Sequence, residues 1–317
     1  LDMYKVNFSF KGNGSLVGDI NQKVNYDEDC TSVEAVPDNN NLFVGWSNNS
    51  KDNPPAYISN WSALGLRSDG IVEGLDGSVY VANTMKNRIV KFDFDGNILS
   101  EWNVSRPTGM TVDSLGDLYV ASKDKVIKFD NNGMEITIID TYGDGYGKLE
   151  NVIDVAIDAK DNIYIADELR IIKFDSNLNY LTEWWGITGQ YILGLDVDSN
   201  ENLYVTEIEY LHKVDPNGIT IETLGPFGLI RDVFVDSLDT VFITDRLNNI
   251  VKVFDTNGSF LYDFNINAMK SPQRIDIGIS GVIRVLDIEG IVFNFNYELD
   301  GSTENPISII NIKQDIN

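Results

Sequence analysis

Six side chains stand where chemistry could be done: Asn83, Ser122, Asp167, Glu207, Asp245 and Asp287. Each directly follows a short apolar run of one form, namely VYVA, LYVA, IYIA, LYVT, VFIT and IRVL. Residues that hold the same place in successive copies of a repeat lie in a ring once the chain is folded. A ring with four carboxylates would suit a cation such as Ca²⁺, which takes oxygen ligands, or another ligand near a central channel. The same residue types also cap turns by accepting hydrogen bonds from nearby backbone N–H groups, which a repeat would demand in every copy.

Little else on the chain offers chemistry. His212 is the only histidine and lies inside a predicted strand, YLHKV. Zinc catalysis usually uses two or three imidazoles, and nucleophilic catalysis needs a histidine placed as a base, so His212 reads as structural. Cys30 is the only cysteine; it can form no internal disulfide and reads as a small buried apolar residue. Gly143–Lys148, GDGYGK, superficially resembles a phosphate loop. It opens no helix, and Asp144 opposes an anion, so it reads as a connector.

The elements that must position the six residues are strands. Asp69–Asn103 reads as four short β runs separated by Asp-Gly and Gly-Asn turns, the pattern of an antiparallel meander. The stretch recurs. The aromatic of the second run falls at Tyr80, Tyr119, Tyr164, Tyr204 and Phe242, with Arg284 in the sixth copy. A period of about 40 residues with four strands per unit predicts a β-propeller. The third run repeats as Lys91-Phe92-Asp93, Lys128-Phe129-Asp130, Lys173-Phe174-Asp175 and Lys213-Val214-Asp215. The sixth copy departs most, with Arg284 in the aromatic place and Asn294 in the lysine place. Closure needs a strand joining the last blade to the first. Tyr57–Ser62, YISNWS, matches the fourth run of copy one, ILSEWN, and is expected to be the outer strand of blade six; Pro306–Ile312 competes for that place. Trp61, Trp102, Trp184 and Trp185 fall at fourth-strand ends, where they would pack between blades or, if exposed, mark a partner or glycan surface.

The pattern G-I/M-x-V-D, G-x-L-Y-V-A-D, R-I-x-K-F-D, G-x-x-L-x-x-W, in six copies over about residues 69–312, resembles the NHL repeat family. That resemblance implies a six-bladed propeller used as a binding platform. Related propellers include enzymes: lactonase-like members use a central metal, and streptogramin-lyase-like members use histidines with a glutamate. One histidine excludes the latter here. A metal site of Asp167, Glu207 and Asp245 with Asn83 is the remaining route to a hydrolase or lyase.

The first 52 residues have a different texture. A leading VNFSF, then GNGS at 12–15, VNYDEDCTSVEAVPD at 24–38 and the closing LFVGWS at 42–47 resemble the InlB B-repeat of bacterial surface proteins. This implies a β-grasp-like module with Trp46 as its main core residue. A polar stretch from Ser47 to Asn53 precedes Pro54-Pro55. The expected organisation is therefore an all-β chain: module 1–52, linker 53–56, and propeller 57–317.

Composition bounds the partners. The 317 residues carry a formal charge of −25, which repels phosphate backbones and argues against nucleic acid despite the recurring lysines. No apolar run approaches the roughly 20 residues needed to span a bilayer. The chain starts at Leu1 with no visible signal peptide, consistent with a processed product or a fragment. The sequons at Asn7, Asn13, Asn48, Asn60, Asn103 and Asn257 would matter on a glycosylated surface. The expectation is an extracellular or cell-surface protein of a prokaryote that binds protein or glycan, or that self-associates as a structural subunit, with no cofactor beyond Ca²⁺.

Overall fold

The computed structural model describes residues 55–63, 68–142, 147–185 and 190–296, and four strands of the N-terminal region as backbone. Contacts divide the chain into Leu1–Trp46 and Ser47–Asn317. In the first unit, Met3–Asn7 pairs antiparallel with Asn21–Asn25, and Gly14–Val17 with Glu34–Pro37. Cys30, Trp46, Asn13, Asn48 and Pro306–Ile312 lie outside the described residues.

The second unit is a six-bladed propeller of four-stranded antiparallel sheets. Blade one is Ser68–Glu73, Val79–Asn83, Arg88–Phe92 and Ile98–Asn103. Blade two is Pro107–Val112, Leu118–Ser122, Lys125–Phe129 and Glu135–Ile139. Blade three is Val152–Ile157, Ile163–Asp167, Arg170–Phe174 and Tyr180–Trp185. Blade four is Gly194–Val197, Leu203–Thr206, Leu211–Val214 and Thr220–Leu224. Blade five is Ile230–Val235, Val241–Asp245, Ile250–Phe254 and Phe260–Phe264. Blade six takes Pro272–Ile277, Val282–Asp287 and Ile291–Asn296 from the C-terminal side, and its outer strand is Ala56–Ser62. The N-terminal strand therefore closes the ring, with Trp61 opposite Val292 and Ser62 opposite Ile291.

Strand texture follows depth in the blade. Second strands are buried on both faces and read as continuous apolar runs, whereas outer strands alternate or lie open to solvent. Among the described residues the core is not one mass but six clusters, one between each pair of adjacent blades. The tryptophans complete these seams. Trp61 of blade six covers Gly96 in the last turn of blade one, Trp102 covers Gly133 of blade two, and Trp184 covers Gly218 of blade four. A side chain at Gly218 would collide with the Trp184 ring, and its φ of +83° is one that L-residues rarely adopt. The inter-blade reading thus holds for three of the four tryptophans; Trp185 is exposed.

Each of four blades repeats one polar unit. Lys91, Lys128, Lys173 and Lys213 lie over the rings of Tyr80, Tyr119, Tyr164 and Tyr204, about 5 Å from each centroid. Carboxylates hold the ammonium heads: Asp76, Asp113, Glu201 and Asp198 respectively. Gly147–Lys148 pairs with Thr141–Tyr142 on the way from blade two to blade three; residues 143–146 of the glycine-rich stretch lie outside the described residues. No helix among the described residues is long and apolar enough to cross a membrane.

Candidate functional site

The antiparallel order puts the second-to-third-strand turns and the blade-to-blade connectors on one face of the propeller. The six ring residues lie there, one at the end of each second strand. Four of their side chains hold the incoming connectors, and Asn83 caps its own turn. Asp167 accepts from the backbone N–H groups of Glu150 and Asn151, at 3.1 and 2.8 Å. Asp245 accepts from Gly228 and Asn248, and Asp287 from Lys270, Glu289 and Ile291. Ser122 donates to the carbonyl of Ser105, and Asn83 accepts from the N–H of Lys86. Backbone capping therefore describes five of the six. Burial raises the Asp287 pKa above the usual range, against the lowering effect of its three backbone donors.

Glu207 differs. One of its carboxylate oxygens lies 3.5 Å from His212 Nε2, longer than a good hydrogen bond, and neither atom has a hydrogen-bond partner. His212 Nδ1 meets the Thr223 hydroxyl at 2.9 Å, so the lone histidine is held between two strands and a turn. Among the described residues, no group of three or more Asp, Glu, His or Cys side chains is placed to hold a metal ion. The structure does not bring Asn83, Asp167, Glu207, Asp245 and Asp287 together into one cation site.

The charges that do converge lie in the central channel, on the innermost strands. Asp154, Asp232 and Arg274 line a cavity of about 70 Å³ with Asp196 and Asp276. Arg274 Nη1 donates to Asp154 Oδ2 at 2.8 Å and to Asp232 Oδ1 at 2.7 Å, while its Nε donates to the carbonyl of Asp69 at 2.7 Å. One side chain thus ties blade six to blades three, five and one. Its Nη2 has no hydrogen-bond partner. Burial opposes the charge on Arg274, but Asp154 and Asp232 outweigh it and hold its pKa above the arginine range.

The channel carboxylates also stitch neighbouring blades. Asp154 accepts from Leu195 N–H, Asp196 from Val235, Asp232 from Ile275, and Asp276 from Glu73. Each bond runs from one innermost strand to the next. Burial raises three carboxyl groups: Asp196 to about 8, Asp276 to about 7, and Asp232 to about 6 despite the attraction of Arg274.

The turn-and-connector face carries the two most exposed described aromatics. Trp185 and Tyr191 are each 62% exposed, with Leu169, Ile208, Leu229 and Leu247 also open. Ile192 N–H donates to the Glu168 carbonyl and Leu193 N–H to that of Thr206, which places Tyr191 between the turns of blades three and four. Arg170 is held by Asp167 and lies over the Trp185 ring, 4.7 Å from its centroid. The described sequon residues Asn60, Asn103 and Asn257 are exposed.

No family model and no curated protein matches the chain. Solved structures do. A gluconolactonase from Xanthomonas campestris aligns with a TM-score of 0.61 at 13% identity, covering 77% of this chain and 95% of its own. A streptogramin B lyase aligns at 0.58 and 14% identity, covering 76% and 98%. A catalytically inactive virginiamycin B lyase from Staphylococcus aureus, crystallised with quinupristin, aligns at 0.56 and 11%, covering 93% and 99%. At these identities the likeness shows the shared propeller fold.

The channel cluster was missed in the sequence, yet a signal for it exists. The place before the central apolar residue of each innermost strand is Gly70, Gly109 and Gly194 in blades one, two and four. In blades three, five and six it is Asp154, Asp232 and Arg274. Three charged residues at a glycine place of the repeat are the ones that meet in the channel.

Proposed function

We propose that the propeller is a binding or scaffold platform on an extracellular or cell-surface protein of a prokaryote, and that it engages a protein or glycan through its turn-and-connector face. The observation that carries this reading is where the polar and aromatic groups are spent. Five of the six ring residues are engaged with the backbone of turns and connectors, and Arg274 spans the channel. Trp185 and Tyr191, by contrast, stand open on a rigid framework, which is how binding surfaces on propellers are built. The NHL-like repeat and the InlB-like features of residues 1–52 support a surface role, and the sequons fit it. No cofactor is needed.

Self-association as a structural subunit is the second reading. It is favoured by the outer strands, which present Ile98, Leu99, Ile136, Ile221 and Phe260 on open sheet edges.

The test is capture of surface extracts and glycan arrays by the immobilised protein, compared with Trp185→Ala and Tyr191→Ala. A ligand retained by the wild type and lost by both variants is expected. A ligand that binds all three alike would overturn the assignment of the face. Light scattering across concentration separates the second reading, because a strict monomer argues against it.

A further inference from the structure

We infer that the partner of the turn-and-connector face is a basic segment of another protein, seated with an arginine on the outer face of Trp185. This inference rests on the reading of the propeller as a binding platform and names the chemistry of what it binds.

Charge selects the partner. Three glutamates accompany the strip from Trp185 past Tyr191 to Ile208: Glu183 lies beside Arg170, the Glu168 carbonyl accepts from Ile192 N–H, and Glu209 follows Ile208 in its turn. Arg170, which lies under Trp185, is already paired with Asp167 at 2.6 Å and lies 3.6 Å from Glu183. Lys123 and Lys125 belong to the neighbouring turn of blade two. The whole chain carries −25. An anionic partner is repelled by this field, and a cationic one is drawn to it.

Ring geometry selects the contact. In four blades this protein seats a cation over an aromatic face while a carboxylate holds its head, as with Lys128 over Tyr119 beside Asp113. Trp185 already takes the Arg170 guanidinium on one side and is still 62% exposed. Its outer side offers the aromatic half of the same arrangement to a guanidinium from outside, with Glu183 two residues back on the same strand. Tryptophan is the strongest such acceptor, and the flat guanidinium stacks where an ammonium cannot. Tyr191 and Ile208 extend the surface for the apolar stems of neighbouring basic residues.

The test is calorimetric titration of the full chain with hexa-arginine, hexa-lysine and a panel of neutral oligosaccharides, at low salt and at 0.15 M ionic strength or roughly so. Hexa-arginine is expected to bind several-fold more tightly than hexa-lysine. Trp185→Ala should weaken it about tenfold, and Glu209→Gln by a smaller factor. Asp95→Asn, on the opposite face, should leave it unchanged. Because Trp185 is exposed, its removal should not alter the melting temperature, which checks that the variant is folded. Equal weakening by Asp95→Asn and Trp185→Ala would show diffuse attraction to an acidic protein and overturn the inference. Binding of an oligosaccharide at Trp185 without binding of hexa-arginine would also overturn it, while leaving the platform itself standing. Failure of every probe together with failure of the surface capture would overturn both.

Discussion

Arg274 of blade six and Asp154 of blade three belong to opposite sides of the propeller, yet their side chains meet at 2.8 Å inside the channel. Asp232 joins them at 2.7 Å, and the three side chains are 3–7% exposed. A guanidinium between two carboxylates offsets one of their two charges and fixes blades that share no strand pairing.

Removing that guanidinium should cost more than the bonds it makes. Arg274→Met leaves Asp154 and Asp232 buried without a counter-charge, and breaking a buried pair in this way costs about 3–5 kcal/mol. Adding Asp154→Asn and Asp232→Asn should restore part of the loss, since the remaining amides carry no charge. Urea unfolding of the single and triple variants checks this. A single variant within about 1 kcal/mol of wild type would mean the tie is not a stability element.

The channel acids set a pH dependence whose sign follows from burial. Asp196, Asp276 and Asp232 bind protons in the folded state up to about 8, 7 and 6, whereas an unfolded chain releases them near 4. The folded state therefore holds more protons between those values, and stability falls as pH rises from about 4 to about 8. The turn acids Asp93, Asp130, Asp175 and Asp215 act oppositely. Hydrogen bonds from their turns hold them below the usual range, so their contribution is lost only in stronger acid. The urea midpoint should be higher at pH 5 than at pH 8, and Asp196→Asn should shrink the difference. A midpoint that rises from pH 5 to pH 8 would contradict this account.

The fold was legible because the repeat writes the same constraint six times. VYVA and its cognates are buried on both faces in every blade, and the match between YISNWS and ILSEWN identified the closing strand before any pairing was seen. The channel was less legible. A repeat pattern draws attention to positions that agree, and the channel cluster is made of positions that disagree: Asp154, Asp232 and Arg274 where other copies have glycine. Their meeting depends on curvature that brings blades three, five and six to one axis, and no local pattern carries that. Trp185 was hidden for another reason. It adjoins Trp184 on one strand, and only the alternation of sides sends one ring into a seam and the other to solvent.

The irregularity of blade six has a physical account that can be tested. Arg284 sits opposite Asn294, where blades one to four pair a tyrosine with a lysine. Its guanidinium is fully buried and pairs with Glu73 of blade one, which also accepts from the backbone and hydroxyl of Ser280. The cation has moved from the third strand to the second, and its carboxylate comes from the next blade, as Glu201 does for Lys173 of blade three. Arg284→Tyr alone should destabilise by about 3–5 kcal/mol, because Glu73 is left charged and buried. Glu73→Gln in the same chain should recover much of that. A double variant no more stable than the single would show that the seam depends on shape and not on charge.

Closure by the N-terminal strand makes one tryptophan answerable for the whole ring. Trp61 packs its ring 4.6 Å from that of Phe92 and covers Gly96, joining blade six to blade one. The strand that carries it is the only described one of blade six that comes from the N-terminal side. Replacing Trp61 by alanine should cost about 3 kcal/mol, the lower end for removal of a packed tryptophan, because the ring is only partly buried. Trp102→Ala removes a similar contact within the continuous chain, between blades one and two, so it should cost a comparable amount but leave unfolding a single transition. Trp61→Ala acts at the one seam closed by a chain end. It should lower cooperativity as well, seen as a smaller urea m-value or as protease cleavage near Ala56–Ser62 at denaturant concentrations where the rest of the ring is intact. Equal m-values and equal cleavage for the two variants would show that the ring unfolds as one unit however it is closed.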